Sequence, residues 1–117
     1  MCIRDSYIVN AGTTATLVNN ATTQTVFTID ANSIPAFEVK YMIRRGVYTE
    51  TGIYNVVGST DGTSGTLTTS DANPVQNGST GVTFTVTESA STVTFAYSTT
   101  NTGVTGTLYY SISYFQV

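Results

Sequence analysis

Histidine and tryptophan are absent from this chain of 117 residues, cysteine occurs once, proline twice, and charged side chains make up only 9% of it. The missing histidine removes the one side chain whose ordinary pKa suits proton transfer near neutral pH. With the lone thiol at Cys2, Ser/His/Asp and Cys/His nucleophilic constellations and zinc sites are excluded. Lysine and arginine total four and the longest basic run is the pair Arg44 and Arg45, so the phosphate-neutralising field of a nucleic-acid-binding protein is missing. No apolar run approaches the roughly eighteen residues of a membrane-spanning helix, and the opening residues carry no apolar segment ahead of a small-residue cleavage site. Neither nucleic acid nor membrane is expected as a partner. What remains for catalysis is carboxylate chemistry: Asp30, Glu38, Glu50, Asp61, Asp71 and Glu88 are available to pair as in a glycosidase, yet none stands in a recognisable motif. No catalytic residue, no cofactor and no resident metal is expected.

What is present points to strands. Ser and Thr supply close to a third of the chain, and the formal net charge is −3, so the surface is wetted by hydroxyls and amides rather than by ions. Hydrophobic residues reach 40%, with eight Tyr and five Phe, more than a disordered chain carries. Val, Ile, Thr, Tyr and Phe fit a pleated, half-buried surface. No window shows a 3.6-residue apolar period, and Ala, Leu, Glu and Lys are sparse, so helix should be close to nil.

Alternation with a period of two dominates from the middle onward. In AFEVKYMIRRG, Phe37, Val39, Tyr41 and Ile43 alternate with Glu38, Lys40, Met42 and Arg44, the pattern of a strand with one buried and one wet face. GVTFTVTE and STVTFAYS repeat the pattern with Val82, Phe84 and Val86, then Val93, Phe95 and Tyr97, and Ser89, Ala90 and Ser91 between them suit a hairpin. GTLYYSISYFQV sets Leu108, Tyr110, Ile112 and Tyr114 against Tyr109, Ser111, Ser113 and Phe115, so both faces carry aromatics and one of them is available to a partner. TATLVN, TQTVFTID and VYTETGIYNVVG read as shorter or irregular strands, Val26 and Phe27 being apolar neighbours. Gly58 to Gly81 is rich in turn residues and reads as a long hairpin or loop, with GTLTTS as an edge strand. Seven to nine short strands make an all-β, antiparallel β-sandwich, jelly-roll or immunoglobulin-like, with a barrel as the alternative.

The opening hexapeptide MCIRDS stands apart in composition. It back-translates to ATG TGT ATA AGA GAC AGN, which resembles the mosaic-end adapter of transposase-based sequencing libraries. Residues 1–6 are therefore expected to be an adapter-derived head outside the fold, and 7–117 a single domain that is the C-terminal fragment of a longer protein. Without Arg4 and Asp5 the net charge is unchanged, since one charge of each sign is lost.

Candidate contact residues follow from charge and aromaticity. Glu38, Lys40 and Arg44 lie on the polar face of the best strand, followed by Arg45 and then Glu50; this is either a binding patch or a solvated face. If VYTE folds back, Arg44 is able to pair with Glu50 for tenths of a kcal/mol to about 1 kcal/mol. Tyr48, Tyr109 and Phe115 are candidate anchors or stacking platforms, the alternative being that such rings pack in the core. Asp61 and Asp71, with Asn73 and backbone carbonyls, supply the hard oxygens calcium takes, although their spacing matches no EF-hand and both also read as turn formers. Asn20 and Asn77 meet the glycosylation pattern, and Asn77 with Gly78 reads as a hairpin turn.

Two stretches, TVFTIDANSIPAFEVKYMIRRGVYTETGIYNVV and GVTFTVTESASTVTFAYSTTNTGVTGTLYYSISY, resemble the C-terminal domain of tail-fibre and related virion appendage proteins of marine tailed phages, especially the T4-like myoviruses of cyanobacteria. The shared features are an alternating strand ending in an Arg-Gly turn (Phe37 to Gly46), a short Gly-hydrophobic strand (Gly52 to Val57), and a closing pattern over Gly81 to Val86, Val93 to Gly103 and Gly106 to Tyr114. Where that family often has a basic or polar residue after the turn, this chain has Val47 and Tyr48. The resemblance implies a noncatalytic virion structural module acting in host attachment or virion assembly. Its partners would be copies of itself in a homotrimer, other virion proteins, or a host surface glycan, and its location the virion. The alternative is a carbohydrate-binding or adhesin domain of a bacterial surface protein.

Overall fold

A single strand, β4 (Ala36–Arg45), sets the frame. In the computed structural model, which describes residues 7–9, 12–58 and 67–115, its odd-numbered side chains from Phe37 to Arg45 are buried and its even-numbered ones face outward. The 1–6 head and its adapter reading lie outside the described residues, as does Asp61. Around β4 the described residues form nine strands and no helix, all pairings being antiparallel. β5 (Tyr48–Val57) flanks it on one side and β9 (Gly106–Phe115) on the other. β6 (Thr68–Gln76) continues the sheet beyond β5; beyond β9, β1 (Tyr7–Val9) and β2 (Thr13–Leu17) pair with opposite ends of that strand, giving six strands. β3 (Gln24–Asp30), β8 (Thr92–Thr99) and β7 (Val82–Ser89) form a second sheet of three, in that order. The architecture is an all-β sandwich.

Both sheets turn their apolar faces inward because period-two strands have nowhere else to bury them. Phe37, Val39, Val56, Val93, Phe95 and Ile112 pack at one end of the interior, and Leu17, Tyr41, Ile43, Tyr97 and Leu108 at the other. Aromatic rings bridge the sheets: Phe27 stacks on Tyr110 at 5.6 Å, Phe95 meets Tyr54 edge-on at 5.4 Å, and Phe84 meets Tyr41 edge-on at 4.9 Å. Each such pair adds roughly 0.5–1.5 kcal/mol beyond the area it buries.

Local irregularities have local causes. Val26 is an extra residue in β3, since Thr25 pairs with Ala96 and Phe27 with Phe95, and the bulge lets two consecutive apolar residues both pack inward. On edge strand β6 a second register shift sets residues 73 and 74 opposite Gly52; Pro74 sits at this bulge, where a missing N–H costs the ladder nothing. The β4–β5 turn is Gly46–Val47, with Gly46 at φ +64°, as a type II′ hairpin requires. The β7–β8 hairpin expected at Ser89 to Ser91 is present, with Ala90 at φ +49° and Ser91 at φ +67° as its two central residues. The hairpin expected at Asn77–Gly78 is not: β6 and β7 belong to different sheets, and the Asn77 side-chain oxygen instead accepts from the Thr49 N–H at 2.8 Å.

Candidate functional site

Because β4 lies between β5 and β9 with Lys40 level with Ile53 and Ser111, and Met42 level with Thr51 and Tyr109, the even-numbered face of β4 becomes the middle of a broad outer surface. Met42, Ile53, Lys40, Tyr109 and Ser111 line an open hollow of about 530 Å³ there. Further along the same strands Glu38, Asn55, Val57, Ser113 and Phe115 border a smaller hollow of about 190 Å³. From Arg44 to Ala36 the strip runs about 26 Å at the usual strand rise. Phe115 is 63% exposed and Tyr109 39%.

Four of the six candidate residues therefore meet on one surface: Lys40, Arg44, Tyr109 and Phe115. Lys40 and Arg44 are exposed, and among the described residues the only other basic side chain, Arg45, is buried. Among the described residues of this net-acidic chain, the exposed positive charge is thus concentrated on the outer face of the larger sheet. Sequence reasoning missed Met42, Thr51, Ile53 and Ser111, which give the hollow its floor and rim. The parity of β5 held the signal, since Thr51, Ile53, Asn55 and Val57 share a face, but only pairing with β4 shows which face that is.

Arg45 and Tyr48 are elsewhere. The Arg45 guanidinium is 3% exposed and donates from Nε to the Val104 carbonyl (2.9 Å), from Nη1 to the Thr80 carbonyl (2.9 Å), and from Nη2 to the Thr100 carbonyl (2.6 Å) and Asn19 Oδ1 (2.7 Å). Being odd-numbered it points inward, and its expected place in an exposed patch is corrected. Asn19 Oδ1 also accepts from the Thr102 and Gly103 amides, so one charged fork ties three loops together at this end of the sandwich. Tyr48 lies over Gly78, where any Cβ would overlap its ring, and borders a separate groove of about 320 Å³ with Val47 and Val104.

The expected pairing of Arg44 with Glu50 is not made. Register places Thr49 opposite Arg44 and Glu50 opposite Ile43, on the inner side, where the Thr80 hydroxyl donates to Glu50 Oε1 at 2.7 Å. Tyr41, 3% exposed, donates its hydroxyl to both oxygens of Asp71, at 3.1 and 3.0 Å. Burial, then the Asp71 bond and charge, then Glu50 push the phenol well above its ordinary pKa. Asp71 lies in strand β6 with its carboxylate engaged by Tyr41, and among the described residues no group of three or more His, Cys, Asp or Glu gathers as a metal site would need.

Comparison of the chain with protein-family models, with curated proteins and with solved structures found no match. Function rests on this chain's own surface.

Proposed function

We infer that this domain is a noncatalytic contact module, the C-terminal domain of a phage tail fibre or related virion appendage, working in host attachment or virion assembly. The observation that carries the reading is the outer strip of the six-stranded sheet, where Tyr109, Phe115, Lys40 and Arg44 stand exposed around two adjoining hollows. Aromatic anchors beside a few polar groups are the make-up of surfaces that bind rather than react. The resemblance of residues from Thr25 onward to tail-fibre C-terminal domains supplies the virion setting.

Two measurements test this. The reading frames neighbouring this one in its genome should include tail or baseplate genes; a secretion signal or wall-sorting tail in the same reading frame would instead make it a bacterial adhesin. Light scattering should give the mass of a trimer for an assembly role, whereas a monomer at high concentration assigns the outer strip to an external ligand.

A further inference from the structure

We propose that the larger outer hollow binds an anionic, carboxylate-bearing polysaccharide, stacking a sugar ring on Tyr109 and pairing its acid groups with Lys40 and Arg44. The inference rests on the contact-module reading and names the ligand class of that surface. Its volume of about 530 Å³ lies in the range of small-ligand sites, commonly about 300–1,000 Å³. Met42 and Ile53 give the floor an apolar patch, and Tyr109 gives it a ring, the surface against which the C–H face of a pyranose packs. Ser111 and Thr51 add hydroxyls able to donate or accept along the rim.

Charge selects the ligand. Lys40 and Arg44 stand on one face of β4 about 13 Å apart with Met42 between them, so they meet separate acid groups a few sugars apart on an extended chain rather than a single ion. Two exposed cations among the described residues, on a chain of net charge −3, are too few for nucleic acid. Glu38, two residues beyond Lys40 at the smaller hollow, repels an anion and sets the polarity of the strip: acid groups belong at the Lys40–Arg44 end.

The test is calorimetric titration of the full chain with tetragalacturonate at low salt, with maltotetraose as the neutral arm and a sulfated oligosaccharide of matched charge as the third. Wild type should bind tetragalacturonate, more weakly as salt rises, and prefer it to maltotetraose. Lys40→Gln should weaken binding by about two- to fivefold, as for loss of one exposed ion pair, and Tyr109→Ala by about tenfold through loss of the stacking ring. Glu38→Gln should strengthen it. Thermal melts of each variant, matching wild type, show that the sheet is intact. Absence of tetragalacturonate binding, equal affinity for maltotetraose, or full affinity in Lys40→Gln and Tyr109→Ala would overturn the proposal, and stronger binding of the sulfated ligand would overturn the carboxylate assignment. Any of these leaves the virion contact-module reading standing if tail genes flank the frame; a bacterial wall-sorting signal removes the virion assignment even where the sugar binds.

Discussion

The phenol of Tyr41 occupies the space a side chain at Gly52 would need: a Cβ built there lies 2.6 Å from the Tyr41 hydroxyl oxygen and 2.8 Å from the ring carbon that bears it. The two residues are cross-strand partners, so the ring passes over β5 at its one bare position and reaches Asp71 on β6. Gly52→Ala should therefore displace the ring, break the bond to Asp71 and cost about 1–3 kcal/mol, as overpacking does. Urea denaturation of Gly52→Ala, Tyr41→Phe and the double variant checks this. A double variant whose loss equals the sum of the singles would show that the two positions do not interact.

Tyr41 also gives the fold an alkaline limit. Its pKa is raised in the folded protein, so the native state holds the proton more tightly than the unfolded chain. The sign follows: the contribution is complete below the ordinary tyrosine value near pH 10 and is lost as pH climbs from there toward the folded value. Tyr41→Phe, which carries no ionisable proton, should show a flatter decline of melting temperature above about pH 10. A variant that tracks wild type through this range would refute the assignment.

Removal of the Arg45 fork should be the most damaging single change at the loop end. Arg45→Met leaves the carbonyls of Thr80, Thr100 and Val104 and the Asn19 amide oxygen without their charged donor, at a cost of about 3–5 kcal/mol. Arg45→Lys should rescue little, because a compact ammonium does not reproduce a planar fork with donors aimed in several directions. Denaturation midpoints measure both, and hydrogen exchange should show the 100–104 amides opening first.

One turn is open to improvement. Ala90 and Ser91 both sit at positive φ in the β7–β8 hairpin, where non-glycine residues carry strain and Asn-Gly is the favoured pair. Ala90→Asn combined with Ser91→Gly should raise stability by about 1 kcal/mol. The backbone bond from the Ala31 N–H to the Ser91 carbonyl, 2.8 Å long, is compatible with either residue. Thermal denaturation reads the gain, and no rise in midpoint would mean that the strain is taken up elsewhere.

The strands most legible in the sequence were those with uninterrupted alternation: β4, β7, β8 and β9. β3 and β6 were harder to read because each carries a bulge, and one extra residue reverses the parity on which period-two reasoning depends. The contact surface was half legible. Lys40, Arg44, Tyr109 and Phe115 could be chosen as polar-face or aromatic residues of single strands, but Arg44 and Arg45 looked alike as letters, and a charged side chain goes to the buried face only where distant segments supply its partners.

Composition and periodicity by themselves determined that the chain is all β and which residues of each regular strand share a face, because side-chain direction in a strand depends only on position along it. Tertiary structure decided which strands are neighbours. β4 and β9, far apart in the sequence, lie side by side, and that pairing alone brings Lys40 beside Tyr109 and opens a hollow between them. It also decided the fate of Arg45, whose burial is tolerable only where three separate loops bring carbonyl and amide oxygens to within 2.9 Å of its nitrogens. Long-range pairing is set by how two apolar faces close over each other, a property of the whole sheet and not of any segment within it.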